Sequence, residues 1–361
     1  MQEQQLVNNI EKLYTEAVDL LQQLISTPSF SKEEDKTATL LVDFMEVRGI
    51  TTNRKGNNVW AVNKHYNAAK PSILLNSHHD TVKPNANYTL NPFSPIIADG
   101  KLYGLGSNDA GASLVSLLAT FIHFYANEDL KYNLVYVASA EEENSGLNGI
   151  ELALPEIGAI EFAIVGEPTQ MHMAIAEKGL MVLDCTVKGK AGHAAREEGE
   201  NALYKALADI EWFKTYQFPK VSPTLGKIKM SVTVIQAGSL HNMVPETCTF
   251  TVDVRCTDAY TLEELFETIK ANVNCAVAPR SLRMRPSSID INHAVVQSGI
   301  SLGRESYGSP TTSDQALMPF PSLKMGVGDS ARSHTADEFV CLHEIKEGIN
   351  LYTQLLTPLL V

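Results

Sequence analysis

Along the first stretch of the chain, apolar residues recur at helical spacing. Leu6, Ile10, Leu13, Ala17, Leu20, Leu21 and Leu24 share one face of a 3.6-residue repeat, which predicts an amphipathic helix over about 6–25. A second such pattern covers about 33–49. The pattern then shifts to short apolar runs, and Asn58–Val62, Ile73–Asn76, Asn133–Ser139 and Phe162–Gly166 read as strands. Between them Ala112–Ala126 reads as a strongly apolar helix. This alternation predicts an α/β layer with helices on both faces of a sheet.

Near Gly179 the character changes. Met181–Lys188 and Lys229–Gln236 alternate apolar and polar residues as two-faced strands do, with a helix at about Asn201–Phe213 between them. Phe250–Arg255 predicts a third strand, Leu262–Val273 a second helix and Leu282–Pro286 a fourth strand. The order β-α-β-β-α-β predicts a ferredoxin-like α+β insert. From about Asp290 the α/β pattern resumes, and it ends in a helix at Leu342–Leu356. The expected organisation is an α/β domain of mixed sheet built from residues 1–179 and 290–361, split by an insert at 180–289.

Length and composition agree with this picture. A chain of 361 residues has room for two domains, and 44% hydrophobic with 20% charged residues is the balance of a soluble protein with a sizeable core. The net charge of −13 speaks against nucleic acid or an anionic membrane as main partner. No run approaches ~18 consecutive apolar residues, so no membrane span is expected. Met1-Gln2-Glu3-Gln4-Gln5 lacks the basic and apolar regions of a secretion signal. Cys185, Cys248, Cys256, Cys275 and Cys341 are dispersed without a C-x-x-C pair, which predicts reduced packing cysteines in a cytoplasmic protein and no sulfur-ligated zinc.

The chemistry gathers at predicted strand ends, the usual place for a site in an α/β sheet. Ser77-His78-His79-Asp80 follows one strand, and His-x-Asp pairs an imidazole ligand with a carboxylate able to orient it. His79 is a rival ligand, but alternation along an extended segment turns it to the other face. Gly104-Leu105-Gly106-Ser107-Asn108-Asp109 precedes the apolar helix. It is not a dinucleotide loop, because the third glycine is missing and Asp109 would repel a pyrophosphate. A carboxylate there has two oxygens and can bridge two cations. Glu141-Glu142-Glu143 follows the next strand, where consecutive acids repel unless solvent or cations neutralise them. Glu167 sits in Gly166-Glu167-Pro168-Thr169, and His334 precedes the last helix. Two imidazoles and three carboxylates suit two divalent cations of the zinc, cobalt or manganese type.

In these ordered motifs the chain resembles the M20 family of metallopeptidases and deacylases, over essentially its whole length. That group includes acetylornithine deacetylase, succinyl-diaminopimelate desuccinylase, aminoacylase and carboxypeptidase G. The resemblance implies a dinuclear metallohydrolase domain with an inserted dimerisation, or lid, domain. It implies His78 and Glu167 as ligands of one metal, Glu143 and His334 as ligands of the other, and Asp109 as the bridge. Asp80 would orient His78, and Glu142 would be the general base; a one-residue slip would make Glu141 the base and Glu142 the ligand. The family's Asp-Met-Lys-Gly is Asp109-Ala110-Gly111 here, so a basic residue is absent beside the bridge.

In the insert, His193 of Gly192-His193-Ala194 matches a histidine that steadies the oxyanion in a partner subunit. Asn242 and Arg255 match substrate contacts, and Ser313 lies in a loop near the metals. The implied cofactors are two divalent ions, zinc first and cobalt second, and the implied assembly is a homodimer. The expected reaction is deacylation of a small N-acyl amino acid, with N-acetylornithine in arginine biosynthesis as the leading substrate. Succinylornithine, acetyl- or succinylcitrulline, succinyl-diaminopimelate and peptide substrates are the alternatives.

Overall fold

The computed structural model describes residues 2–361, with side chains described from Asn9 onward. Met1, and the side chains of Gln2–Gln5 and Leu6 on which the reading of the first residues rests, lie outside what is described. The chain divides into two compact units. The first comprises the chain up to Ile175, Ser288–Tyr307 and Ser313–Val361, and the second comprises Ala176–Ser287 with Gly308–Thr312.

The first unit opens with helices α1 (Gln2–Ile25) and α2 (Asp35–Glu46). Strands β1 (Thr52–Lys55), β2 (Asn58–Val62) and β3 (Ser72–His78) follow. Helix α3 (Ala112–Phe124) leads to β4 (Asn133–Ser139), β5 (Phe162–Val165) and β6 (Met173–Glu177). β3 is parallel to β4 on one side and to β5 on the other, and β11 (Ser322–Lys324) is parallel to β5. β4, β3, β5 and β11 are therefore four adjacent parallel strands whose carboxyl ends share one edge. Antiparallel β2 and β1 extend the sheet beyond β4, and antiparallel β6 flanks β11, so the sheet is mixed.

Fully buried strands explain the unbroken apolar runs. Ile73 and Leu75 face a core shared with α1, α3, α6 (Ala294–Ser301) and the last helix, α7 (Leu342–Leu360). Leu74 faces the other way, with Trp60, Val135, Val137, Ala163 and Val165. That second face packs against short helical turns such as Ile150–Ala153 and Leu154–Glu156. Helices lie on both faces as expected, but the long ones lie on one.

In the second unit β7 (Gly179–Lys188), β8 (Lys229–Ala237), β9 (Thr247–Cys256) and β10 (Ala276–Pro279) form an antiparallel sheet in the order β8-β9-β7-β10. Burial alternates residue by residue along β7 and β9, and one face packs against α4 (Ala202–Thr215) and α5 (Leu262–Asn272). Asn201 caps α4, and Thr261 with Glu264 forms a capping box on α5.

The fourth strand is Ala276–Pro279 rather than the expected Leu282–Pro286. Asp209 of α4 accepts the N–H groups of Asn274 and Cys275, each at 2.9 Å, and so starts the strand directly after α5. Leu282–Pro286 makes one sheet-like bond, Leu180 N–H to the Met284 carbonyl. A small sheet of Ile96–Ala98, Lys101–Tyr103 and Phe339–Cys341 is also new relative to the sequence reading.

Among the described residues no helix is long and apolar enough to cross a membrane, and all five cysteines are free. Phe213, 1% exposed, meets Phe250 edge-on with ring centroids 6.0 Å apart. Phe213→Ala should destabilise the second unit by about 3–5 kcal/mol, read as a lower midpoint in urea.

Candidate active site

The parallel strand ends and the loop before α3 each deliver a side chain to one crevice of the first unit. His78 ends β3, Glu142 and Glu143 follow β4, Glu167 follows β5, and His334 follows β11. Asp109 comes from the turn before α3. His78, Asp109 and Glu167 bring one possible ligand atom each within 4.8 Å of one another, as do Asp109, Glu143 and His334. Asp109 belongs to both groups. Its Oδ1 lies 3.3 Å from His78 Nε2, and its Oδ2 lies 3.5 Å from His334 Nε2.

The remaining distances complete the two groups. Glu167 Oε1 is 3.7 Å from His78 Nε2, and Glu143 Oε2 is 3.1 Å from His334 Nε2. Glu142 Oε2 lies 3.9 Å from His78 Nε2. Glu141 points elsewhere. It is 5% exposed, and its carboxylate accepts from Asn148 Nδ2 at 3.0 Å. His79 likewise turns away, to Thr37 Oγ1 and the Asn57 carbonyl, each at 2.9 Å.

A tier of buried carboxylates holds these loops. His78 Nδ1 lies 3.0 Å from the Asp80 carbonyl and 3.4 Å from its Oδ1, which leaves Nε2 aimed into the crevice. The Asp80 carboxylate accepts Ser31 Oγ at 2.7 Å and the N–H groups of Glu142 and Glu143, each at 3.1 Å. Glu34 accepts the Glu141 N–H at 3.2 Å and Asn57 Nδ2 at 2.7 Å. Glu338 accepts N–H groups of the Asp109 turn. Asp314 accepts Ser139 Oγ at 2.5 Å. The sequence reading missed Glu34, Asp314 and Glu338 as site residues. The signal available was that Asp314 and Glu338 lie in segments already singled out.

Electrostatics set the demand of the crevice. Burial lifts Glu167 to about 8 despite His78, with Asp109 adding repulsion. Burial also lifts Glu142 well above its ordinary range, against His78 and with Glu167, Glu143 and Asp314 adding to it. The hydrogen bond to Glu143 raises His334 to about 9 against its burial. Burial opposes a charge on His78, but Asp109 and Asp80 outweigh it and raise the imidazole. Too many carboxylates thus share too little positive charge, a deficit that two divalent cations would meet. Imidazole nitrogen and carboxylate oxygen, without sulfur, are donors that fit zinc, cobalt or manganese.

The other expected site residues lie as follows. Ser313 is buried and caps the turn Asp314–Leu317 by accepting the Gln315 N–H. In the second unit His193 is exposed, and its Nδ1 accepts the Ala195 N–H at 3.1 Å. The strand pair Gly192–His193 with Met243–Val244 brings Asn242 beside it, where the Asn242 carbonyl accepts the Ala194 N–H. Arg255 donates from Nε and Nη2 to Asp253, at 2.9 and 3.0 Å, and from Nη1 to Thr312 at 3.2 Å.

A mixed α/β unit with acids and imidazoles gathered at its parallel strand ends has the build of a metallohydrolase. The model of peptidase family M20/M25/M40 matches residues 74–357, and the chain belongs to that family, a hydrolase acting on amide bonds. It is 24% identical to a succinyl-diaminopimelate desuccinylase of Delftia acidovorans, over 95% of this chain and 97% of that protein. It is 26% identical to a probable carboxypeptidase of Paracoccidioides lutzii, over 86% of this chain and 74% of that protein. A dinuclear metal-binding M20 peptidase of Bacillus subtilis shares the fold, with a TM-score of 0.69 at 15% identity over 96% of this chain and 98% of that one.

Gly106 has φ +75°, and a Cβ added there would come 2.6 Å from Thr81 Cγ2. Gly106→Ala should therefore cost about 1–3 kcal/mol, measured by urea unfolding of the metal-free protein.

Proposed function

We propose that the protein removes the acyl group from an N-acyl amino acid by hydrolysing its amide, with two divalent cations, zinc first and cobalt second. The observation that carries this reading is Asp109, which offers one oxygen toward each imidazole and shares each with a second carboxylate. When bound, the cations would lower the pKa of a water and polarise the scissile carbonyl. His78 and Glu167 would hold one, Glu143 and His334 the other, and Asp109 both. Glu142 would take the water's proton and pass it to the leaving amine. Its place 3.9 Å from His78 Nε2, against the turned-away Glu141, supports that register. Asp80 would keep the His78 tautomer.

Arg255 would hold the substrate's α-carboxylate, Asn242 of the second unit and Ser313 of the first would contact substrate, and His193 of a second subunit would steady the oxyanion. A homodimer is supported by the edge strand β8, with Val234 and Ile235 exposed, and by exposed Tyr204 and Leu207 of α4. Free cysteines support a cytoplasmic setting. N-acetylornithine is the leading substrate, which would place the enzyme in arginine biosynthesis. A second reading, an acyl group with its own carboxylate such as succinyl, draws on Lys178. Its ammonium is held below the usual range by burial and by the charges of Lys229 and Arg255. One α-carboxylate does not need all three cations.

Amine release from N-acetyl- and N-succinylornithine, the matching citrullines, succinyl-diaminopimelate and dipeptides tests the proposal with zinc- or cobalt-loaded protein. Acetylornithine should be preferred; preference for succinyl substrates moves the acyl group, and cleavage of dipeptides alone overturns deacylation. Glu142→Gln should lower kcat by about 10²–10⁴ with metal still bound, whereas Glu141→Gln should keep most of it. The reverse ranking would shift the base to Glu141.

A further inference from the structure

Glu338 is 1% exposed, and none of the roles above uses it. Its Oε1 accepts the N–H groups of Asn108 at 2.8 Å and Asp109 at 2.9 Å. Its Oε2 accepts the Gly106 N–H at 3.3 Å, and its main-chain carbonyl accepts the Gly104 N–H at 3.0 Å. One residue therefore grips the Gly104–Asp109 turn at four backbone N–H groups.

The turn needs such a grip. Asp109 has φ −116° and ψ 97°, outside the helical region, so helical bonding does not set its direction. Asn108 ties the turn to the His334 side of the crevice, where its Nδ2 donates to the Asp329 carbonyl and its Oδ1 accepts the Asp329 N–H, each at 3.0 Å. Asn108 and Glu338 hold the backbone; the Asp109 carboxylate is what that backbone aims.

We propose that Glu338 is a positioning residue for Asp109: by holding the Asn108 and Asp109 N–H groups together on one oxygen, it sets where the two Asp109 oxygens stand between His78 and His334. The inference rests on the two-cation reading above. Two side chains separate reach from charge. Glutamine keeps the length and can keep an oxygen on Asn108 and Asp109 while losing the charge. Aspartate keeps the charge but is one methylene short.

The test is equilibrium titration of metal-free, full-length protein with Zn²⁺ against a chromophoric chelator, together with the visible spectrum of the Co²⁺-loaded form. Wild type should take two equivalents. Glu338→Asp should bind both about 10–100-fold more weakly and change the cobalt absorption, while Glu338→Gln stays near wild type. Two variants alike and near wild type, or the reverse ranking, would overturn the positioning role with the two-cation reading intact. Wild type that binds no cation would overturn both. Should Glu338→Asp not fold, amide exchange in the metal-free wild type decides. Protection of the Asn108 and Asp109 amides comparable to β3 supports the role, and exchange at exposed-loop rates overturns it.

Discussion

Burying acidic groups side by side is the constraint around which the first unit is built. Asp80, Asp109, Glu142, Glu143, Glu167, Asp314 and Glu338 gather at the carboxyl ends of four adjacent parallel strands, where solvent is largely displaced. An isolated buried carboxylate is costly unless it is paired or hydrogen-bonded. The protein meets that cost in two ways. Asp80 is opposed by burial, but the neighbouring His78 imidazole first, and then a hydroxyl and backbone N–H groups, outweigh it and hold its carboxyl below the ordinary range. Glu142 and Glu167 lack such donors among their dominant influences and are raised by burial, which leaves their charge to be met by bound cations.

The backbone is shaped to deliver this compensation. Glu141 and His334 have φ of +54° and +58°, conformations that non-glycine residues rarely adopt. At Glu141 the turn sends that residue's own carboxylate to Asn148 and presents the next two N–H groups to Asp80. Each left-handed residue costs roughly 1–2 kcal/mol. A hydrogen bond to a charged acceptor contributes about 1.5–3 kcal/mol, so one such bond at the turn offsets the strain. Local strain, ligand direction and charge compensation are thus one arrangement.

Much of this was readable from the chain. β3, β4 and β5 are buried on both faces, so their apolar runs stand out, and chemistry-bearing residues directly follow them. Helices α3, α4, α5 and α7 show in apolar spacing, and α4 and α5 also carry the side-chain caps Asn201 and Thr261. What escaped had local signals weaker than a competing pattern, or none. Alternation at Leu282, Met284 and Pro286 imitates a strand, whereas the real one is short and is started by Asp209, a residue of a different element. Ala98-Asp99-Gly100-Lys101 did carry a hairpin signal, since Asp99 and Gly100 have φ of +50° and +72° as a type I′ turn requires. The roles of Glu34, Asp314 and Glu338 escaped because each carboxylate takes a partner remote in sequence: the Glu141 N–H, the Ser139 hydroxyl and the N–H groups of Asn108 and Asp109.

The same constraint separates what fixes the bond cleaved from what fixes the molecule that carries it. In the crevice each carboxylate's charge, its N–H donors and its neighbours' charges bear on one another. Arg255 stands under no such constraint: its side chain is 31% exposed, and Asp253 neutralises it within the same strand. Lys178 and Lys229 depend on no buried acid network either. On the proposed reading, a substitution among these cations would change which anionic groups of a substrate are tolerated. A chain built this way can hold to amide hydrolysis while its acyl and amino-acid preferences move. Its crevice therefore speaks to the reaction class, and the proposed choice of substrate draws on residues outside that balance.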